Sequence, residues 1–176
     1  MGAFIMKDKI VLIGMPGCGK STLGKLLAEE LNLNFYDMDE YIEQKTNTSI
    51  PNLFEKGEEY FRDIESEVCV ELMNKKNSLI SSGGGVVKRN RNVQTLRENS
   101  IVIFIDRPVE SIMSDIEISG RPLLKNGKDK LYSLYKERYE LYCSAAHIKI
   151  TNNISIEGVI EKCKNEINNK LEFKHR

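Results

Sequence analysis

Between a short apolar run and an amphipathic helix pattern lies Gly14-Met15-Pro16-Gly17-Cys18-Gly19-Lys20-Ser21, followed by Thr22. The spacing is G-x-x-x-x-G-K-S, the loop that cradles phosphates in nucleoside triphosphate enzymes. Context supports the match on both flanks. Ile10-Val11-Leu12-Ile13 is an unbroken apolar run, as a parallel strand buried on both faces requires. Leu23, Leu26, Leu27 and Leu31 then recur at helical spacing. A glycine-rich loop entering a helix N-terminus turns backbone N–H groups and the helix dipole toward an anion. Gly17, Cys18, Gly19, Lys20, Ser21 and Thr22 are therefore expected to bind the nucleotide. Lys20 would reach the β- and γ-phosphates, and the Ser21 hydroxyl would ligate Mg²⁺. A glycine-rich turn with a surface lysine is the bland alternative, and the strand–loop–helix context weighs heavily against it.

The rest of the chain alternates strand-like and helix-like stretches, which predicts a three-layer αβα domain on a five-stranded parallel sheet. The strands are expected at Ile10–Ile13, Asn34–Asp37, Ser78–Ser81, Ile101–Ile105 and Ile148–Ile150. One helix is expected after Ile50-Pro51, with Leu53, Phe54, Phe61, Ile64, Val68 and Leu72 mostly on one stripe. Pro108 suits the first turn of the helix after the fourth strand. From Ser114 to Lys130 the periodicity dissolves, which inside one domain of 176 residues reads as a functional loop. Residues 1–176 are thus one domain, with a mobile lid at about 114–127 and a substrate-binding helical segment at about 40–75.

Formal net charge is zero, so no basic field favours nucleic acid as a partner. No apolar run reaches membrane-spanning length, and no signal-peptide pattern opens the chain. Cysteines 18, 69, 143 and 163 form no C-x-x-C pair, and are expected as reduced thiols in a cytoplasmic protein. Nothing demands more than a monomer.

Several further residues carry chemistry. Asp37 and Asp39 lie at the C-terminal end of the second strand, where open α/β sheets place ligands. One carboxylate would support Mg²⁺ and the other would accept a proton from the hydroxyl being phosphorylated, although the pair also suits a helix N-cap. Arg138 shares a helical stripe with Leu131, Leu134, Tyr135 and Tyr142. An inward arginine needs an anion, either in a core salt bridge or on a substrate. Arg62 stands three residues before Glu65, a spacing that decorates solvated helix faces but also holds a guanidinium toward a ligand carboxylate. Gly83-Gly84-Gly85 reads as a flexible turn or as a place of close ligand approach. Arg121, between Gly120 and Pro122, is either a solvated loop residue or a group that closes on the transferring phosphates.

Taken in order, the loop Gly14–Thr22, Asp37-Met38-Asp39, Phe61-Arg62-Asp63-Ile64-Glu65, Gly83–Gly85, Arg121-Pro122-Leu123-Leu124 and the Arg138 helix resemble the shikimate kinase family. That family lies within the nucleoside monophosphate kinase-like P-loop group, and the resemblance spans about residues 8–170. It implies ATP-dependent phosphorylation of shikimate at its 3-hydroxyl, on the route to chorismate and aromatic amino acids. By position it implies Asp39 as the hydroxyl-binding residue and base, and Arg62 and Arg138 as the clamp on the carboxylate. Gly84 would make a backbone contact to the ring. Ser21 would hold Mg²⁺ with Asp37 supporting from behind, and Lys20 and Arg121 would stabilise phosphate charge. Two departures stand out: Ser114–Ile118 holds no arginine, and Thr151-Asn152-Asn153-Ile154 holds no basic residue. Adenine is then left to apolar and backbone contacts. A related kinase acting on gluconate is the runner-up. A nucleotide switch is disfavoured because Asn74-Lys75-Lys76-Asn77 lacks the aspartate of an N-K-x-D motif.

Overall fold

The structure is a computed structural model that describes residues 8–118 and 127–172. Its centre is strand β1 (Lys9–Ile13), which enters the phosphate loop and then helix α1 (Lys20–Glu30). Next come β2 (Asn34–Asp37), α2 (Met38–Thr46), α3 (Ile50–Glu55), α4 (Glu58–Leu72) and β3 (Ser78–Ser81). A 3₁₀ turn (Val86–Lys88) and α5 (Asn90–Asn99) lead to β4 (Ile101–Asp106), and α6 (Val109–Ile118) follows. The described chain resumes with α7 (Gly127–Ala145), β5 (Ile148–Thr151) and α8 (Ile156–Glu172).

All five strands are parallel, in the order β2-β3-β1-β4-β5. Helices cover both faces of such a sheet, so its central strands carry apolar side chains throughout. Val102 and Ile103 of β4 are fully buried, each contributing roughly 1.5–3 kcal/mol through the hydrophobic effect. The strand order reverses direction at β1, so the crevice beyond the carboxyl ends of β1, β3 and β4 is the natural ligand site.

Three elements differ from the sequence-based expectation. The single helix expected after Ile50 is two, because Gly57 takes a left-handed φ of 117° and turns the chain between α3 and α4. The two helices still share apolar contact through stacked Phe54 and Phe61, 4.4 Å apart. Helix α5 was not anticipated, since its ten residues bury only Asn92 and Leu96. Ordered helix also extends into the expected lid from both sides, as α6 reaches Ile118 and α7 begins at Gly127. Arg121 and its neighbours lie outside the described residues. Among the described residues no helix is long and apolar enough to cross a membrane.

Candidate active site

The phosphate loop is closed around its own lysine. Lys20 Nζ donates to the carbonyls of Gly14 and Met15, each at 2.9 Å, and lies 3.7 Å from the buried Cys18 thiol. Gly19, at φ 96°, takes the left-handed turn that starts α1 with its first N–H groups free of side-chain caps. Those groups and the ammonium are the donors a polyphosphate would find there.

Asp37 joins this loop to the next helix. Its Oδ1 accepts from the backbone N–H groups of Asp39 (3.0 Å) and Glu40 (3.3 Å), capping α2, while its Oδ2 accepts from Ser21 Oγ at 2.5 Å. Ser81 Oγ stands 3.2 Å from the same serine oxygen. This cluster of hard oxygens at the loop mouth suits Mg²⁺, which takes few protein ligands and keeps water and phosphate oxygens for the rest. The cap therefore belongs to Asp37, which leaves the Asp39 side chain free to face the cleft.

Beyond β3 opens a cavity of about 450 Å³, lined by Asp39, Arg62, Glu65, Gly84 and Arg138 together with Pro16 of the loop. Asp39 is water-accessible through the open cleft, yet protein surrounds enough of its carboxyl to raise its pKa by desolvation. The charge of Asp37 pushes the same way, while Lys20 and Arg62 oppose it. Arg62 is buried, and its Nη1 donates to Glu65 Oε2 at 2.7 Å, so the pair does not decorate a solvated face. Burial raises the Glu65 pKa against the attraction of Arg62, and Glu65 Oε1 has no hydrogen-bond partner among the described residues.

Arg62 fits only because Gly85 has no side chain. A Cβ there would lie 2.3 Å from both terminal guanidinium nitrogens. The glycine run thus makes room for an arginine as much as for a ligand. Arg138 is also buried, its Nε lacks a hydrogen bond, and its ion-pair contact, with Glu137, is a loose 3.8 Å. Arg62 Nε and Nη2 also donate to Glu58 Oε1 at the cavity rim, each at 3.3 Å, so Arg62 is paired within the chain while Arg138 has only the loose contact with Glu137 among the described residues. An anionic occupant would complete the pairing of Arg138.

One polar group went unread in the sequence. Tyr142 shares the Arg138 stripe and looked like core, and it is fully buried and stacked 5.1 Å from Phe104. Its hydroxyl, however, donates to the Gly84 carbonyl at 2.5 Å, and burial pushes its pKa up to about 12. The signal available was a tyrosine one helical turn after an inward arginine.

A family model for shikimate kinase matches residues 16–168 of this chain. The chain belongs to the shikimate kinase family. It is 58% identical over 164 residues to a shikimate kinase of Clostridium botulinum (strain Alaska E43), a match covering 93% of this chain and 99% of that one. A Clostridium beijerinckii shikimate kinase is 54% identical over 96% of this chain and 99% of its own length. Among solved structures, Acinetobacter baumannii shikimate kinase in complex with shikimate superposes with a TM-score of 0.86. That match has 35% identity and covers 96% of this chain and 97% of that one. A gluconokinase of Sinorhizobium meliloti, at 11% identity and a TM-score of 0.62, shares the fold alone. Of the residues that carried the resemblance to shikimate kinases, Asp39, Arg62, Gly84 and Arg138 line one cavity, and Ser21 and Asp37 touch. Gly17, Gly19 and Thr22 line a second cavity on the other side of the loop.

Proposed function

We propose that this chain transfers the γ-phosphoryl group of ATP to the 3-hydroxyl of shikimate, giving shikimate 3-phosphate and ADP. The observation that carries this reading is the convergence of Asp39 with buried Arg62 and Arg138 in one cavity beside the phosphate loop. A hydroxy acid offers a carboxylate to the guanidinium groups and a hydroxyl to Asp39. Membership of the shikimate kinase family and the shikimate complex of the Acinetobacter relative support shikimate as that acid.

In the proposed reaction, Arg62 and Arg138 grip the shikimate carboxylate through charge-assisted hydrogen bonds, with Glu65 fixing the Arg62 fork. The Gly84 backbone, held by Tyr142, contacts the ring. Asp39 accepts the proton of the 3-hydroxyl as its oxygen bonds to the γ-phosphorus and the bond to the β-phosphate oxygen breaks. Lys20 exchanges the Gly14 and Met15 carbonyls for phosphate oxygens, adding positive charge where negative charge spreads. Arg121, in the proposed lid at 114–127, would do the same from outside the described residues. Ser21 would hold Mg²⁺ with Asp37 behind it, and the ion would neutralise β- and γ-phosphate charge.

The helical segment 40–75 serves as the acid-binding part of a single 176-residue domain. A monomer is proposed as the working unit. All four cysteines are free, and with ATP as co-substrate this supports a cytoplasmic location. The test is purified protein with ATP and Mg²⁺, offered shikimate and gluconate in parallel while ADP release is followed. Turnover with shikimate alone is expected. Turnover with gluconate alone would overturn the substrate assignment.

A further inference from the structure

Two carboxylates and an ammonium group meet at the rim of the acid-binding cavity. Glu58 opens α4, Glu137 lies on α7, and Lys88 ends the 3₁₀ turn after β3. Each glutamate neighbours one of the two inward arginines, Glu58 one helical turn before Arg62 and Glu137 directly before Arg138. Lys88 Nζ donates to Glu58 Oε1 at 2.7 Å and stands 3.6 Å from Glu137 Oε1. The lysine thus ties α4 to α7 across the cavity mouth. Its base is firm, since Val86 and Val87 are buried and Asn92 donates to the Val86 carbonyl at 3.1 Å.

A carboxylate beside a guanidinium group can brace it or compete for it. Of the five N–H groups of Arg62, Glu58 takes two and Glu65 one, which leaves one on each terminal nitrogen for an occupant. Both bonds to Glu58 are long, at 3.3 Å, and both converge on Oε1, the oxygen that takes the shorter bond from Lys88. The hydrogen bond from Lys88 is also what most lowers the Glu58 pKa, and Arg62 adds less. Glu58 therefore leans on the lysine more than on the arginine. Glu137 Oε1 likewise lies nearer to Lys88 than to Arg138 Nε, 3.6 Å against 3.8 Å, and that Nε makes no hydrogen bond. Without Lys88, each glutamate would keep its neighbouring arginine as its one ion-pair partner among the described residues. Both glutamates are half-exposed, with room to turn inward.

We propose that Lys88 is a positioning residue for the acid: it holds the Glu58 and Glu137 carboxylates at the rim, and so keeps the free N–H groups of Arg62 and Arg138 open to the substrate carboxylate. This rests on the kinase reading above. Lys88 acts through the two glutamates, without gripping the substrate itself. Were they to turn inward, their negative charge would stand where the substrate's own must go. In the sequence Lys88-Arg89 reads as an ordinary solvated pair, and only the fold brings both glutamates to it.

The test is a mutant cycle read on shikimate. Steady-state constants are measured for the wild type, Lys88→Met, the double variant Glu58→Gln/Glu137→Gln, and the triple variant that combines all three. Methionine keeps the apolar stem of the lysine and drops its charge. Lys88→Met should raise the Michaelis constant for shikimate about fivefold, the upper end for an ion pair open to water, with kcat and the constant for ATP unchanged. Made in the double glutamine background, the same change should shift that constant by about twofold at most. An unchanged constant in Lys88→Met overturns the proposal. So does an equal rise in both backgrounds, which would mean that the lysine attracts or grips the acid directly. A rise of about fivefold in the double glutamine variant alone also overturns it, because the glutamates would then be braces and not competitors. Coinciding melting curves keep a fold defect from being read as a lost contact. A wild type that turns over no shikimate removes the substrate reading and this proposal with it, whereas an active wild type with a flat cycle removes this proposal alone.

Discussion

On the acid side of the cleft, Arg62 is buried and braced by Glu65, and Gly85 is shaped around it. On the phosphate side, Lys20 spends its charge on two carbonyls of its own loop. The first arrangement holds its donors in place with the chain's own groups. In the proposed reaction the second exchanges its partners for phosphate oxygens, and the difference follows from what each side would bind. A carboxylate brings one charge and gains most from donors already in place, because little ordering remains to be done on binding. A triphosphate brings several charges and can displace neutral carbonyls that a single charge could not.

Removing the base tests the point where the two sides meet. Asp39→Asn is expected to cut turnover by on the order of a hundredfold or more while leaving ADP binding nearly intact. A coupled assay with calorimetry measures both, and unchanged turnover would take Asp39 out of the reaction. Arg138→Ala comes next. Losing a hydrogen bond from a charged donor costs about 1.5–3 kcal/mol, so the Michaelis constant for shikimate should rise by roughly tenfold to a hundredfold. The constant for ATP should hardly move; a matching rise would dissolve the division between the two sides.

The pH profile sharpens the same contrast. Asp39 and Glu65 both have pKa values raised by desolvation, and both must be ionised, one to accept a proton and one to hold Arg62. The shikimate-dependent rate should therefore fall with acid at a pH above about 3.9, the ordinary aspartate value. Stability moves the other way. A carboxyl whose folded pKa is raised loses stability as pH climbs from its unfolded value through its folded one. Asp39→Asn is thus expected to melt no lower than the wild type at neutral pH, which a thermal scan would check. The smallest effect should come from Tyr142→Phe. It strips the Gly84 carbonyl of its partner, and about 0.5–1.5 kcal/mol corresponds to a two- to twelvefold weaker grip on shikimate. If the ATP constant shifted as well, the tyrosine would be bracing the whole domain instead of one wall.

Much of this was legible in the chain. The central strands announced themselves as apolar runs because parallel strands are buried on both faces. Arg138 stood out as a charge on an apolar stripe, and its burial followed. Helix α5 was invisible for the opposite reason: only Val93 and Leu96 mark its inward side, too few to set a period. The break at Gly57 was missed because hydrophobic spacing continued across it, and only its φ gives it away. Arg62 and Glu65 showed their pairing in their spacing. Whether they faced water or the interior depended on the glycine turn packed over them from β3, which no local pattern records.

The close fit between Gly85 and Arg62 has one more effect. Two stretches far apart in the chain, α4 and the turn after β3, are keyed to each other by a missing methyl group, since a Cβ at Gly85 would stand 2.3 Å from both terminal guanidinium nitrogens. A substitution there would unseat the arginine and reshape that wall of the cavity without altering a single charged residue.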